Sequence, residues 1–484
     1  MICIAAVCLA RLTFNTSICE FTLQAKSIAF FGGPILALLA GYIMFVSGFP
    51  LSAAQTLGIT ILCVCWWIFE PIPIPATSLI PLTLLPLFGV LDRAALSGAY
   101  GHPLILLLLS GFLLSTALEK NGAHRRLALT LLNAIGGHSS RRVVVGFMLV
   151  AALLSMWISN TATALMMLPV ASAVLEKARD TNLRLPLLLA IAYGCSIGGM
   201  GTPIGTPANV VFMGIYEETT GTTVSFLSWM SWALPIVFVL LPLAAWWLSR
   251  NLTSGNGVEL PSLPAWSPAE KRVLLVFGMT AALWVTRTGP FGGWSGAMNL
   301  SYTNDAMVGF LGVISMFLIG NGENQQGEKS AKLLDWETAE KIPWGILLLF
   351  AGGLGIAAAF TSSGLSQIVG NALAGVSSLH PLAVMVVLCT LVTFLTEATS
   401  NTATANILMP IAAATAIAAA IDPRLLMIPV ALSASCAFML PVATPPNVIV
   451  FSTGHVPVRA MIREGFALNI LGIIVISLGL YLLL

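Results

Sequence analysis

From Gly32 to the C-terminus, apolar stretches of about 17 to 25 residues follow one another with short polar breaks, each long enough to cross ~30 Å of hydrocarbon as a helix. Eleven membrane-crossing helices are predicted, near residues 29–47, 51–68, 76–90, 104–119, 185–215, 229–249, 272–287, 305–320, 344–360, 424–452 and 465–484. Two longer apolar stretches, 143–175 and 381–421, remain. The first is flanked by Arg141 and Arg142 before it and by Lys177, Arg179 and Arg184 after it. Because Lys and Arg gather on the cytoplasmic side, both its ends are placed there, and the stretch reads as a re-entrant hairpin rather than a crossing. The second is read as a matching hairpin that enters from the opposite side. Between the fourth helix and the first hairpin, Leu127, Leu129, Leu131 and Leu132 beside His124, Arg125 and Arg126 predict an interfacial amphipathic helix.

Composition agrees with a polytopic, all-α membrane protein. Of 484 residues, 57% are hydrophobic and 8% charged, with a mean hydropathy of +0.94, against about 25% charged in soluble domains. With both hairpins in place, every Lys and Arg except Arg93, Arg287 and Arg424 falls on one face, which puts the N-terminus in the cytoplasm and the C-terminus outside. The eight cysteines, including Cys3, Cys8 and the close pair Cys63 and Cys65, have no metal-ligand spacing and read as small hydrophobes. His102, His124, His138, His380 and His455 sit near predicted helix ends without acidic partners in a recognisable motif, and no phosphate-cradling loop or HExxH is present. The chain is therefore not expected to be an enzyme, an intramembrane protease or transferase being the alternative of a different class. Nucleic acid is not expected as a partner.

The polar breaks are duplicated. Ser159-Asn160-Thr161-Ala162-Thr163-Ala164 recurs as Ser400-Asn401-Thr402-Ala403-Thr404-Ala405, displaced by 241 positions. Ile105 to Gly111 matches Ile346 to Gly352 at the same displacement, and Gly205-Thr206-Pro207-Ala208-Asn209 matches Ala443-Thr444-Pro445-Pro446-Asn447 at 238. The expected organisation is a leader of unassigned role at 1–28, a first helix at 29–50, repeat 1 at 51–250, a cytoplasmic linker at 251–271 containing Pro261, Pro264 and Pro268, and repeat 2 at 272–484. A second hydrophilic loop, Gly322 to Lys341, is also expected to be cytoplasmic. With five crossings and one hairpin per repeat, the second copy is inverted and the two hairpin tips approach the midplane from opposite leaflets.

The tips carry hydroxyls, Asn amides and backbone groups freed where helices break. Half-helix N-termini suit a carboxylate; freed carbonyls, hydroxyls and the Asn oxygen suit an alkali cation. One isolated Ser-Asn-Thr would more often hold helices together, but duplication in register favours a two-part site. Prolines predict that the spans 185–215 and 424–452 unwind near Gly205–Asn209 and Pro441–Asn447. Glu397, the sole carboxylate between Pro381 and Ile421, has Met156 as its counterpart, leaving open a structural hydrogen bond or a part in cation or proton coupling.

With these motifs laid out, the chain resembles the divalent anion/sodium symporter family, carriers of succinate, other dicarboxylates and citrate. The resemblance runs from about Gly32 to Leu484 and rests on Ser-Asn-Thr-Ala-Thr at 159 and 400, Thr396-Glu397-Ala398-Thr399, and the run Ser435-Cys436-Ala437-Phe438-Met439-Leu440-Pro441-Val442-Ala443-Thr444-Pro445-Pro446-Asn447. It implies a homodimer with a scaffold and a transport domain that slides like an elevator, without an organic cofactor, in a cell membrane such as the bacterial inner membrane. It further implies one sodium site from Ser155, Ser159, Asn160 and Gly205 and another from Thr396, Thr399, Asn401 and Ala443. Substrate carboxylates are expected at Asn160, Thr161, Asn401 and Thr402, with Thr206, Pro207, Thr444 and Pro445 completing the pocket. Thr399 stands where a smaller residue is common, and Ala208 where a second proline is. The implied function is sodium-coupled symport of C4-dicarboxylates such as succinate, malate or fumarate. A dicarboxylate exchanger and a citrate or sulfate carrier are the alternatives within the family.

Overall fold

In a computed structural model, the described residues run from 17 to 484, apart from 138, 179, 253–264, 290, 301, 323–330, 373–374 and 376–378. The leader up to residue 16, His138, Arg179, Pro261, Pro264 and residues 323–330 of the 322–341 loop thus lie outside them. The described chain is helical, without a named strand; its one isolated bridge pairs Gly320 with Lys332. Among the described residues, six helices are long and apolar enough to cross a membrane: Gln24–Val46, Leu51–Phe69, Arg93–Lys120, Phe226–Ser249, Trp344–Ser362 and Val458–Leu483. The chain is a multi-pass membrane protein. It divides into two compact units, each drawing on both halves of the sequence.

One unit comprises residues up to His102, Val211–Thr222 and Trp344–Ala434. Its helices α1 (Ser17–Val46) and α2 (Leu51–Phe69) cross closely at glycines: a Cβ on Gly41 would lie 3.0 Å from the Ala54 carbonyl, and one on Gly58 3.0 Å from that of Ala37. The predicted 76–90 helix is two pieces, α3 (Ile74–Thr77) and α4 (Leu79–Leu87), in a proline-rich stretch. Ser78 at their junction is fully buried. Its hydroxyl accepts from Trp67 Nε1 at 3.1 Å and its carbonyl from the Tyr100 hydroxyl at 2.7 Å. Helix α5 (Arg93–Tyr100), absent from the sequence reading, starts where Asp92 caps the Ala95 N–H at 2.7 Å.

The other unit comprises Pro103–Val210, Thr223–Pro343 and Ser435–Leu484. It contains α6 (Pro103–Lys120) and the expected amphipathic helix α7 (Ala123–Ile135), which buries Ala123, Ala128, Leu129 and Leu132. Helices α8 (Ser140–Ser155) and α9 (Asn160–Lys177) follow, joined by a short turn. At 1.5 Å per residue these 16- and 18-residue helices reach about 24 and 27 Å, short of a full crossing. The span 185–215 is interrupted, into α10 (Arg184–Gly199) and α11 (Pro207–Thr220), whose later turns belong to the first unit; the break occupies 200–206, earlier than expected, because residues 207–209 already form the first turn of α11. Proline at the first helical position restarts the helix without sacrificing a hydrogen bond. Next come α12 (Phe226–Ser249), α13 (Pro268–Thr286), the short α14 (Gly293–Ala297), α15 (Asp305–Leu318) and α16 (Trp336–Ala339).

The first unit resumes with α17 (Trp344–Ser362) and α18 (Leu365–Ala372). A second pair of short helices follows, α19 (Pro381–Thr396) and α20 (Asn401–Ala418), then α21 (Arg424–Ala434). The second predicted interruption falls between α21 and α22 (Pro445–Phe451), and α23 (Val458–Leu483) ends the chain.

Candidate site at the hairpin tips and helix breaks

In the second unit, α8 stops at Ser155 and α9 starts at Asn160, so a C-terminal and an N-terminal helix end meet at one turn. Carbonyls and N–H groups are thereby concentrated together, the first attractive to cations and the second to anions. The Ser155 hydroxyl donates to Asn160 Oδ1. Ser159 caps α9, accepting from the Ala162 N–H at 3.2 Å. Ser155 is fully buried, Ser159 and Asn160 are half-buried, and Thr161 is exposed.

The break between α10 and α11 lies against this turn. The Thr202 hydroxyl donates to the Met156 carbonyl, tying the two segments together. Gly199 provides the room: a Cβ there would lie 3.0 Å from Asn160 Oδ1 and 3.1 Å from the Gly205 carbonyl. Ser155, Asn160 and Gly205 of the expected first sodium set are thus drawn together, whereas the Ser159 side chain is engaged as a cap. Thr206 is buried and Pro207 half-buried.

In the first unit the same construction recurs. The Thr396 hydroxyl, at the end of α19, lies 2.8 Å from Asn401 Oδ1 and 2.9 Å from the Ala434 carbonyl. Thr399 turns its hydroxyl back to the Leu395 carbonyl at 3.0 Å and to Thr404 Oγ1, so its extra bulk is absorbed within the hairpin. Thr396, Thr399 and Thr402 are buried and Asn401 half-buried. Glu397, 4% exposed, caps the C-terminus of α19. Ser400 differs from Ser159 in making no side-chain cap bond. Ala443 and Thr444 are buried and Pro445 is exposed; all three belong to the second unit, at the break before α22.

Three participants escaped the sequence reading. The Ala434 carbonyl has no side-chain signature that could announce it. Asn209 and Asn447 ended duplicated motifs but had no stated role. Asn209 Nδ2 donates to the carbonyls of Gly199 at 3.0 Å, Met200 at 3.4 Å and Thr202 at 2.7 Å. Asn447 Nδ2 donates to those of Ala437 and Leu440, both at 3.0 Å.

The family described as sodium:sulfate symporter transmembrane region matches residues 34–482. The chain is 38% identical over 475 residues to a sodium-dependent dicarboxylate transporter of Staphylococcus saprophyticus, covering 93% of this chain and 90% of that protein. It is 36% identical over 491 residues to the protein of the same name from Staphylococcus aureus (strain USA300), covering 95% and 93%. Among solved structures, the YdaH transporter of Alcanivorax borkumensis aligns with a TM-score of 0.59 at 16% identity, over 88% of this chain and 98% of that one. That likeness is one of fold.

Proposed function

The chain belongs to the sodium:sulfate symporter family, and from that membership we propose that it is a secondary transporter carrying C4-dicarboxylates such as succinate, malate or fumarate inward with sodium. Relatives named sodium-dependent dicarboxylate transporters support the substrate class and the coupling ion. The observation that carries the reading is the repeated pairing of a hydroxyl with an Asn oxygen where one helix ends and the next begins.

The energetic reasoning concerns charge. Neither 155–161 nor 396–402 contains Lys or Arg, and a dianion held in a low-dielectric environment without compensation is strongly disfavoured. Sodium ions bound next to the substrate supply the missing positive charge. One ion is assigned to Ser155, Ser159, Asn160 and Gly205, the other to Thr396, Thr399, Asn401 and Ala443. The substrate carboxylates are assigned to Asn160 and Thr161 of one tip and Asn401 and Thr402 of the other, with Thr206, Pro207, Thr444 and Pro445 beside them.

The wider reading makes the two hairpins re-entrant segments of inverted repeats, with the N-terminus cytoplasmic and the C-terminus outside. The working unit is a homodimer in the bacterial inner membrane, moving its loaded site by an elevator motion.

Radiolabelled succinate uptake into proteoliposomes, with and without an inward sodium gradient, tests the proposal. Accumulation should require sodium, and Asn160→Ala and Asn401→Ala should weaken sodium and succinate binding together. Rapid counterflow in sodium-free vesicles would instead identify an exchanger.

A further inference from the structure

We propose that Asn209 and Asn447 are positioning residues that hold the two unwound segments in the shape a sodium ion requires, so that the carbonyls of Gly205 and Ala443 are presented ready-made. The inference rests on the sodium-coupled reading above and adds to it the residues that set ion affinity without touching the ion.

The first ground is orientation. Carbonyl oxygens surround Nδ2 of both residues, at 2.7 to 3.4 Å for Asn209 and at 3.0 Å for Asn447. Only the nitrogen of an amide can sit there, which settles which way each side chain faces. Where a helix breaks, its last carbonyls lose their intrahelical donors and need others. Each Asn supplies N–H groups from four residues beyond the Gly205 or Ala443 position and so closes the loop on itself.

The second ground is repetition of contacts, beyond repetition of sequence. Gly199 and Thr202 correspond to Ala437 and Leu440 at the 238-residue displacement, and these are the carbonyls bound in each case. The backbone closes in parallel, Gly205 N–H to the Thr202 carbonyl at 3.3 Å and Ala443 N–H to that of Leu440 at 3.2 Å. Even the carbonyl in between is handled alike: Met200 accepts from Trp229 Nε1 at 3.0 Å, and Phe438 from the Tyr193 hydroxyl at 2.8 Å.

The third ground is what the arrangement sacrifices. Both Asn side chains are fully buried, and both Oδ1 atoms lack a hydrogen-bond partner among the described residues. A buried carbonyl without a donor is unfavourable, so these residues are poor choices for stability alone. Their value lies in the N–H groups. In the first repeat the consequence reaches the site, because the closed loop brings the Gly205 carbonyl and Asn160 Oδ1 to the same side of Gly199.

The test compares wild-type protein with Asn209→Ala and Asn447→Ala in proteoliposomes, measuring the sodium concentration for half-maximal succinate uptake. Thermal stabilisation of the purified protein by sodium alone is measured beside it. Each variant should raise the half-saturating sodium concentration by about tenfold, from loss of two or more hydrogen bonds, while the succinate KM at saturating sodium moves less than about twofold. Asn209→Asp, which turns an acceptor toward three carbonyls, should be worse than Asn209→Ala. A folded variant with reduced maximal rate but wild-type sodium half-saturation would show a merely structural role and overturn the inference. If the Ala variants are not recovered folded, Asn209→Ser and Asn447→Ser, which keep one donor, should show the same shift in smaller degree, and wild-type sodium dependence in both overturns the inference equally. Sodium-independent uptake by the wild-type protein would overturn the proposed function itself, and this inference with it.

Discussion

Thr396 and Asn401 face each other across the end of one helix and the start of the next, hydroxyl to amide oxygen at 2.8 Å, with the Ala434 carbonyl 2.9 Å from the same hydroxyl. A hydroxyl has one hydrogen, so one of these two acceptors is always left without it. Three oxygens sharing a single proton form a cluster of negative potential that a small cation relieves. Thr396→Val, which keeps the shape and deletes the oxygen, should raise the half-saturating sodium concentration about tenfold. Thr396→Ser should stay near wild type. Sodium titrations of succinate uptake check both, and equal behaviour of the two variants would remove Thr396 from the proposed ion site.

The packing that holds the first hairpin depends on glycine. A Cβ on Gly198 would lie 2.2 Å from the Ala152 carbonyl, and one on Gly194 2.7 Å from that of Met148, so α10 touches α8 backbone to backbone. Gly198→Ala must force these helices apart, destabilising the protein by at least about 1–3 kcal/mol. Gly278→Ala is the natural comparison, because no described residue lies within 4 Å of its added methyl group and Ala favours a helix interior by roughly 0.5–1 kcal/mol. Thermal unfolding in detergent should separate the two in opposite directions.

Much of this arrangement is legible in the residues. The Ser-Asn-Thr copies mark the starts of α9 and α20, and the Thr-Pro-x-Asn copies mark the restarts at Pro207 and Pro445, because hydroxyls, amides and prolines are conspicuous among apolar neighbours. What stayed hidden lacked such contrast. Helix α18 stands 241 positions after the heart of α7, yet Leu365-Ser-Gln-Ile-Val-Gly-Asn-Ala carries none of the basic residues that betrayed the first copy. Helix α5 is announced only by one capping Asp. The grouping of the chain into two interleaved units depends on long-range packing, which repeat boundaries do not encode.

Asp305, at the start of α15, binds the start of α12 and the end of α13. Its carboxylate accepts from Arg287 and, at 3.0 Å, from the Phe226 N–H that opens α12, while its own carbonyl accepts from Trp284 Nε1 at 2.7 Å. The Asp305 side chain is 6% exposed and that of Arg287 14%. Asp305→Ala would leave a largely buried guanidinium without its counterion, a loss of about 3–5 kcal/mol. Asp305→Asn retains an acceptor for Phe226 and should lose less. Unfolding midpoints of the two variants, compared with wild type, provide the measurement.

A milder electrostatic contact allows its pH dependence to be worked out. The Lys120 ammonium, helped by the Thr338 side chain and N–H, holds the Asp335 carboxyl down to about 2. An ordinary Asp titrates near 3.9, so the folded state binds this proton less readily than the unfolded chain does. The stability this supplies is complete above about pH 4 and disappears as pH falls through about 2. Because the Asp335 side chain is 48% exposed, solvent screening keeps the contribution within ~1 kcal/mol. Asp335→Asn preserves the cap on α16 while removing the charge. The variant should be slightly less stable than wild type at neutral pH, and the gap should close between about pH 4 and pH 2; a gap that widens on acidification would contradict the depressed titration of Asp335.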